Sequence, residues 1–244
     1  MAKKFANQNC VHCLGYFQEL TEDHIFPKSW YPVSTPQNIE KWVVPSCFKC
    51  NNKLGKIENE LYQKLAIGTG ISPENIATSG VSEKAIQMLI PSYAKDERSR
   101  RRKEVNIQGV LRDSIHTDEM PKGLMKNFGP SGNISGKSML INVSIPNLLD
   151  PFAKKIVRGL EFKFKNKLID LNRKITIIHP IENIDNIAPV EMENLNNILE
   201  TSGMQVDRGP GFIVRHAVDV YGTSLYHIII WGKVEMWASF PIKI

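Results

Sequence analysis

The chain has 244 residues, 42% of them hydrophobic and 23% charged, with a formal net charge of +6 and a pI near 9.1. This composition is ordinary for a globular protein and compels no long disordered segment, and no run of eighteen apolar residues suggests a membrane span. The basic balance favours an anionic partner without identifying one. Met1–Asn7 lacks the apolar stretch of a signal peptide, so the expected location is the cytoplasm, with no membrane partner.

All four cysteines fall in the first fifty residues, as Cys10-x2-Cys13 and Cys47-x2-Cys50. A two-residue spacer lets both sulfurs of one tight turn face a single ion. In a cytosolic chain two such turns read as a structural Zn2+ site; free thiols or a redox pair are the alternatives. His12 lies inside the first turn, but four sulfurs already complete a tetrahedron. Between the turns runs Thr21-Glu22-Asp23-His24-Ile25-Phe26-Pro27-Lys28-Ser29-Trp30, and Asn51-Asn52-Lys53-Leu54-Gly55-Lys56 follows the second.

Leu54, Ile57, Leu61 and Leu65 predict a helix over 51–66, which Gly68–Pro73 breaks. Ala85, Ile86 and Leu89 predict a short helix over 81–90. The basic run Lys95–Lys103 precedes a change to strand-like texture, and a boundary is placed near 104. Ser131–Ser138 superficially resembles a phosphate loop, but Ser131 stands where the first glycine is required and no apolar strand precedes it. A strand is expected over 139–145. Asp150-Pro151 reads as a helix start, with Phe152, Ile156 and Leu160 as its apolar face. Three runs, Phe212–Val220, Leu225–Trp231 and Val234–Phe240, predict an antiparallel meander. Phe212, Tyr226, Trp231, Trp237 and Phe240 read as core. His116, His179, His216 and His227 form no metal-spaced set.

The ordered set of Asp-His-Ile-x-Pro, a later Asn, and Cys-x2-Cys-Asn-x3-Gly resembles the HNH (ββα-metal) endonuclease family, in the form carrying a four-cysteine zinc. It also resembles the zinc-free HNH module of RNA-guided effector nucleases. The match covers about a quarter of the chain. It implies a hydrolase cutting DNA, with RNA as the alternative, to 5′-phosphate and 3′-hydroxyl ends. It also implies His24 as the general base, and Asp23 and Asn51 as ligands of a catalytic Mg2+ or Mn2+. Asn52 rivals Asn51. Asn38, fourteen residues after His24, fits an orienting role, although Asn51 then comes thirteen positions later, a longer gap than the family's. Asp23 and His24 are neighbours, so a bend or bulge is needed to turn both towards one site. Lys28, Lys53, Lys56, Arg100, Arg101 and Arg102 are candidate nucleic-acid contacts, and Glu58, two turns after Asn51, is read as a solvated carboxylate.

The resulting expectation is an α+β protein in three parts. Residues 1–66 form an HNH module, 67–103 a helical, basic connector, and 104–244 an α+β region with an antiparallel sheet that recognises a target, a partner protein or a signal. Selectivity or control is expected mainly beyond 104, and a chain ending near Lys103 is expected to keep weak, unselective, metal-dependent cleavage if it folds. Two rival readings are a catalytically inactive zinc-dependent nucleic-acid-binding module and a nuclease subunit of a multi-protein defence complex.

Overall fold

The computed structural model describes residues 5–68, 75–112, 114–116, 139–141, 146–178 and 189–241. Strands β1 (Ala6–Asn9) and β2 (Tyr16–Glu19) form a hairpin that carries the first cysteine turn at its tip. Strand β3 (Thr21–His24) pairs antiparallel with β4 (Val43–Ser46), and helix α1 (Phe48–Gly68) follows directly, giving a ββα order. The helix begins three residues before the expected Asn51, because the second cysteine turn is itself its first turn. Helix α2 (Val81–Leu89) packs on α1, and α3 (Glu97–Arg112) packs on α2. The basic run is thus part of a helix that continues through the boundary placed at 104. Strands β5 (Ser114–His116) and β6 (Met139–Ile141) pair with each other; residues 142–145 of the expected strand lie outside the described residues.

Helix α4 (Pro146–Lys165) starts four residues before the expected Asp150, leaving Pro151 inside it. Pro146 satisfies the preference for proline in a first turn, and it is this proline that opens the helix. Its apolar face is as expected: Phe152, Ile156 and Leu160 are all fully buried. Strand β7 (Thr176–Ile178), helix α5 (Pro189–Ser202) and strand β8 (Met204–Asp207) precede the meander of β9 (Phe212–Val218), β10 (Thr223–Ile230) and β11 (Val234–Pro241). The sheet is antiparallel in the order β7-β11-β10-β9-β8. The two outer strands were not anticipated; at three and four residues they are too short to show a period. The five aromatics assigned to the core are buried. Among the described residues no helix is long and apolar enough to cross a membrane.

One hydrophobic core runs through the ββα segment and the C-terminal region together. Trp30, just beyond β3, stacks on Phe152 of α4 at 4.7 Å between ring centres and lies 5.2 Å from Trp231. The Trp231 indole donates to the Trp30 carbonyl at 2.9 Å, and Phe26 stacks on Phe212 at 4.5 Å. Aromatic side chains of this size bury about 150–250 Å² each and dominate a core's energetics. The division at 104 therefore does not coincide with a gap in the packing. Gly159 allows part of this contact: a Cβ there would meet Ile25 at 2.9 Å, so only glycine lets α4 lie this close to the end of β3.

Candidate active site and cysteine centre

The two cysteine turns converge. Cys10 donates its backbone N–H to Gly15 and accepts from Leu14, both at 2.9 Å, closing the first turn. The N–H groups of His12 and Cys50 point at the sulfurs of Cys10 and Cys47, each at 3.4 Å. All four Sγ atoms lie within 4.8 Å of one another, and Cys13 and Cys47 are 3.8 Å apart. A tetrahedron of sulfurs about 2.3 Å from zinc has edges of about 3.8 Å, so the cluster has the dimensions of a zinc site. Burial and the neighbouring sulfurs push the Cys50 thiol up, so that a shared cation is what would let this group ionise with the others. Among the described residues this is the only group of three or more His, Cys, Asp or Glu side chains close enough to hold a metal.

Next to it, β3 carries Asp23 and His24. The β3–β4 ladder is unbroken, with Asp23 opposite Val44 and His24 opposite Val43, so the anticipated bulge is absent. Strand alternation sends the two side chains different ways. Asp23 points inward and is 4% exposed. Its Oδ2 accepts from His12 Nε2 at 2.8 Å and its Oδ1 faces Lys155 Nζ at 3.1 Å. Burial alone would raise the Asp23 pKa, but the His12 hydrogen bond and the Lys155 charge together hold it below the ordinary carboxylate range. His24 is half-buried and its ring makes no hydrogen bond among the described residues. Burial, aided by the Lys155 charge, lowers its pKa and favours the neutral imidazole.

Lys155 enters from α4 with its side chain 1% exposed. Its ammonium is 2.5 Å from Glu58 Oε1 and donates to the backbone carbonyls of His24 and Ile25. Glu58 is therefore not a solvated carboxylate as expected; α1 aims it into this cluster, where burial raises its pKa despite Lys155. Asn51, in the first turn of α1, donates through Nδ2 to Thr21 Oγ1 at 2.9 Å and to the Glu22 carbonyl at 3.2 Å. That ties the helix to β3 and leaves the amide oxygen as an acceptor. The rival Asn52 is exposed.

Against protein-family models, curated proteins and solved structures, the chain matches none.

The remaining candidates lie apart. Asn38 is exposed in the 31–42 loop and forms no hydrogen bond to the cluster. This loop is held by the C-terminal region: the Arg208 guanidinium stacks 3.9 Å from the centre of the Trp42 ring. Lys28, Lys53 and Lys56 are exposed and form no ion pair among the described residues. Arg100 pairs with Glu104 at 3.1 Å and Arg101 with Glu97 at 3.3 Å, so part of the basic charge on α3 is already matched. Sequence reasoning missed Lys155 and the His12–Asp23 pair. The one available signal for Lys155 was its position beside Ile156 on the apolar stripe of α4, an unusual place for a charge.

Proposed function

We propose that the protein is a metal-dependent endonuclease of HNH type acting on DNA. The observation supporting this reading is that Asn51, at the start of α1 beside the cysteine cluster, is tied by hydrogen bonds to β3, the strand that carries Asp23 and His24. His24 presents an unengaged, neutral-leaning imidazole, the form a general base needs in order to take a proton from water. Asp23 and Asn51 offer the hard oxygen donors that suit Mg2+ or Mn2+. Such an ion would polarise the phosphate and stabilise the leaving oxygen. Within the protein, Asn51 fixes the helix to the strand, and Lys155 and His12 fix Asp23. Exposed Lys28, Lys53 and Lys56 are available to phosphates, which position a substrate without reading its sequence. A structural Zn2+ in the cysteine cluster would brace the turn on which Asn51 sits.

A second reading, a zinc-stapled nucleic-acid-binding module without cleavage, is favoured by the Lys155 contact. A dication at Asp23 would have to share that carboxylate with an ammonium, or displace it. Supercoiled plasmid incubated with zinc-loaded protein separates the two. Relaxed or linear product with added Mg2+ or Mn2+, and none without, supports the nuclease. Retention of plasmid with no cutting under any divalent ion supports the second reading.

A further inference from the structure

We infer that the cleft beside the C-terminal end of α4 is a binding site for a small phosphorylated organic molecule of mononucleotide size. This inference stands apart from the nuclease reading. The cleft has a volume of about 700 Å³, within the range of roughly 300–1,000 Å³ typical of small-ligand pockets. Its inner wall is a buried polar network. Glu161, 3% exposed, accepts through one oxygen from Tyr226 Oη at 2.6 Å, Lys165 Nζ at 2.8 Å and Ser224 Oγ at 3.1 Å. Lys165 Nζ also donates to Ser224 Oγ at 2.9 Å and lies 3.4 Å from His216 Nε2.

Two consequences follow from this arrangement. The carboxylate is consumed by internal donors, and Lys165 is held in one position rather than free to sweep solvent, so little order remains to be imposed on binding. Lys167 and Arg173, also on the lining, form no ion pair among the described residues. Among the described lining residues Glu161 is the one carboxylate and Lys165 matches its charge, which leaves the cations of Lys167 and Arg173 on one concave space. A group with several anionic oxygens matches them, because phosphate accepts charge-assisted hydrogen bonds from lysine and arginine together. The space exceeds what a bare phosphate fills, and Leu168 and Val218, 39% and 42% exposed, give it an apolar side. A ligand with a phosphate on the cations and a flat or apolar body against these side chains fits both halves. The concave shape favours a free molecule over the backbone of a nucleic acid.

Calorimetric titration of the full chain with AMP, inorganic phosphate and a twenty-base-pair DNA duplex tests this, together with the double variant Lys167→Ala, Arg173→Ala and the single variant Arg173→Glu. Saturable one-to-one binding of AMP is expected, tighter than that of inorganic phosphate. Both variants should weaken it by about tenfold or more, since each removes charge-assisted hydrogen bonds to the phosphate, with melting temperatures unchanged. Absence of saturable AMP binding, AMP no tighter than phosphate, or undiminished AMP binding by a folded Arg173→Glu protein overturns the inference. So does duplex DNA that displaces AMP from the wild type, which would assign the cations to a nucleic-acid backbone.

Discussion

Replacing Lys155 with methionine tests the packing of the candidate site most severely. The side chain is 1% exposed and its ammonium faces Asp23 and Glu58, themselves 5% and 16% exposed at the side chain. Methionine keeps the aliphatic volume and removes the charge, so two buried carboxylates lose their cation and two carbonyls lose a donor. Breaking a buried pair by deleting one partner costs about 3–5 kcal/mol. For a chain of this size each kcal/mol moves the melting temperature by about 2–4 °C, giving an expected fall of about 6–20 °C. Adding Glu58→Gln to the same protein removes one uncompensated charge and should recover part of the loss; in the wild-type background Glu58→Gln alone should destabilise. Circular dichroism melts of the four proteins complete the cycle. A Lys155→Met protein melting within about 2 °C of wild type, with no coupling to Glu58, would refute the reasoning that these charges depend on one another.

Cys47→Ser should lower bound zinc from one per chain to a substoichiometric level and lower the melting temperature, because a structural site contributes folding free energy directly; elemental analysis and melts of the same samples check it. A chain ending at Lys103 should fail to fold as a monomer, since Phe152, Phe212 and Trp231 leave the shared core and each fully buried side chain of this kind stabilises by at least about 1.5–3 kcal/mol; a dispersed proton NMR spectrum of that fragment contradicts this. His216 is pushed down to about 4 by burial and the neighbouring Lys165 charge. Between that value and its unfolded pKa of about 6.5 the unfolded state binds more protons, so stability should be intact above pH 6.5 and fall as pH drops towards 4. Urea titrations across this range should show His216→Phe flattening the slope.

What could be read from the sequence was local. The spacing of the cysteines specified two turns able to share an ion, and period-two apolar runs specified the β9–β10–β11 meander and its buried aromatics. The stripe of Phe152, Ile156 and Leu160 specified the buried face of α4. What escaped was set by distance along the chain. Lys155 meets Asp23 across 132 positions, and within its own helix it looks like the second of two adjacent lysines, with Arg158 three residues on. His12 appeared as a competitor for zinc because it sits between two cysteines, whereas its ring turns to Asp23 instead. Short edge strands carry no period, and Asp150-Pro151 has the form of a helix start although α4 opens at Pro146. The continuity of the core across residue 104 was also invisible, because a change of texture marks a change of secondary structure and not an interruption in packing.

The central claim rests on His24. Single-turnover cleavage of a plasmid by wild type, His24→Ala and Asn38→Ala, each shown to carry one zinc and to melt at the wild-type temperature, tests it directly. Loss of the base should slow His24→Ala by about two to four orders of magnitude, with Asn38→Ala much closer to wild type because that residue is exposed and unconnected to the cluster. Cleavage by His24→Ala at the wild-type rate, with metal dependence unchanged, would contradict the account.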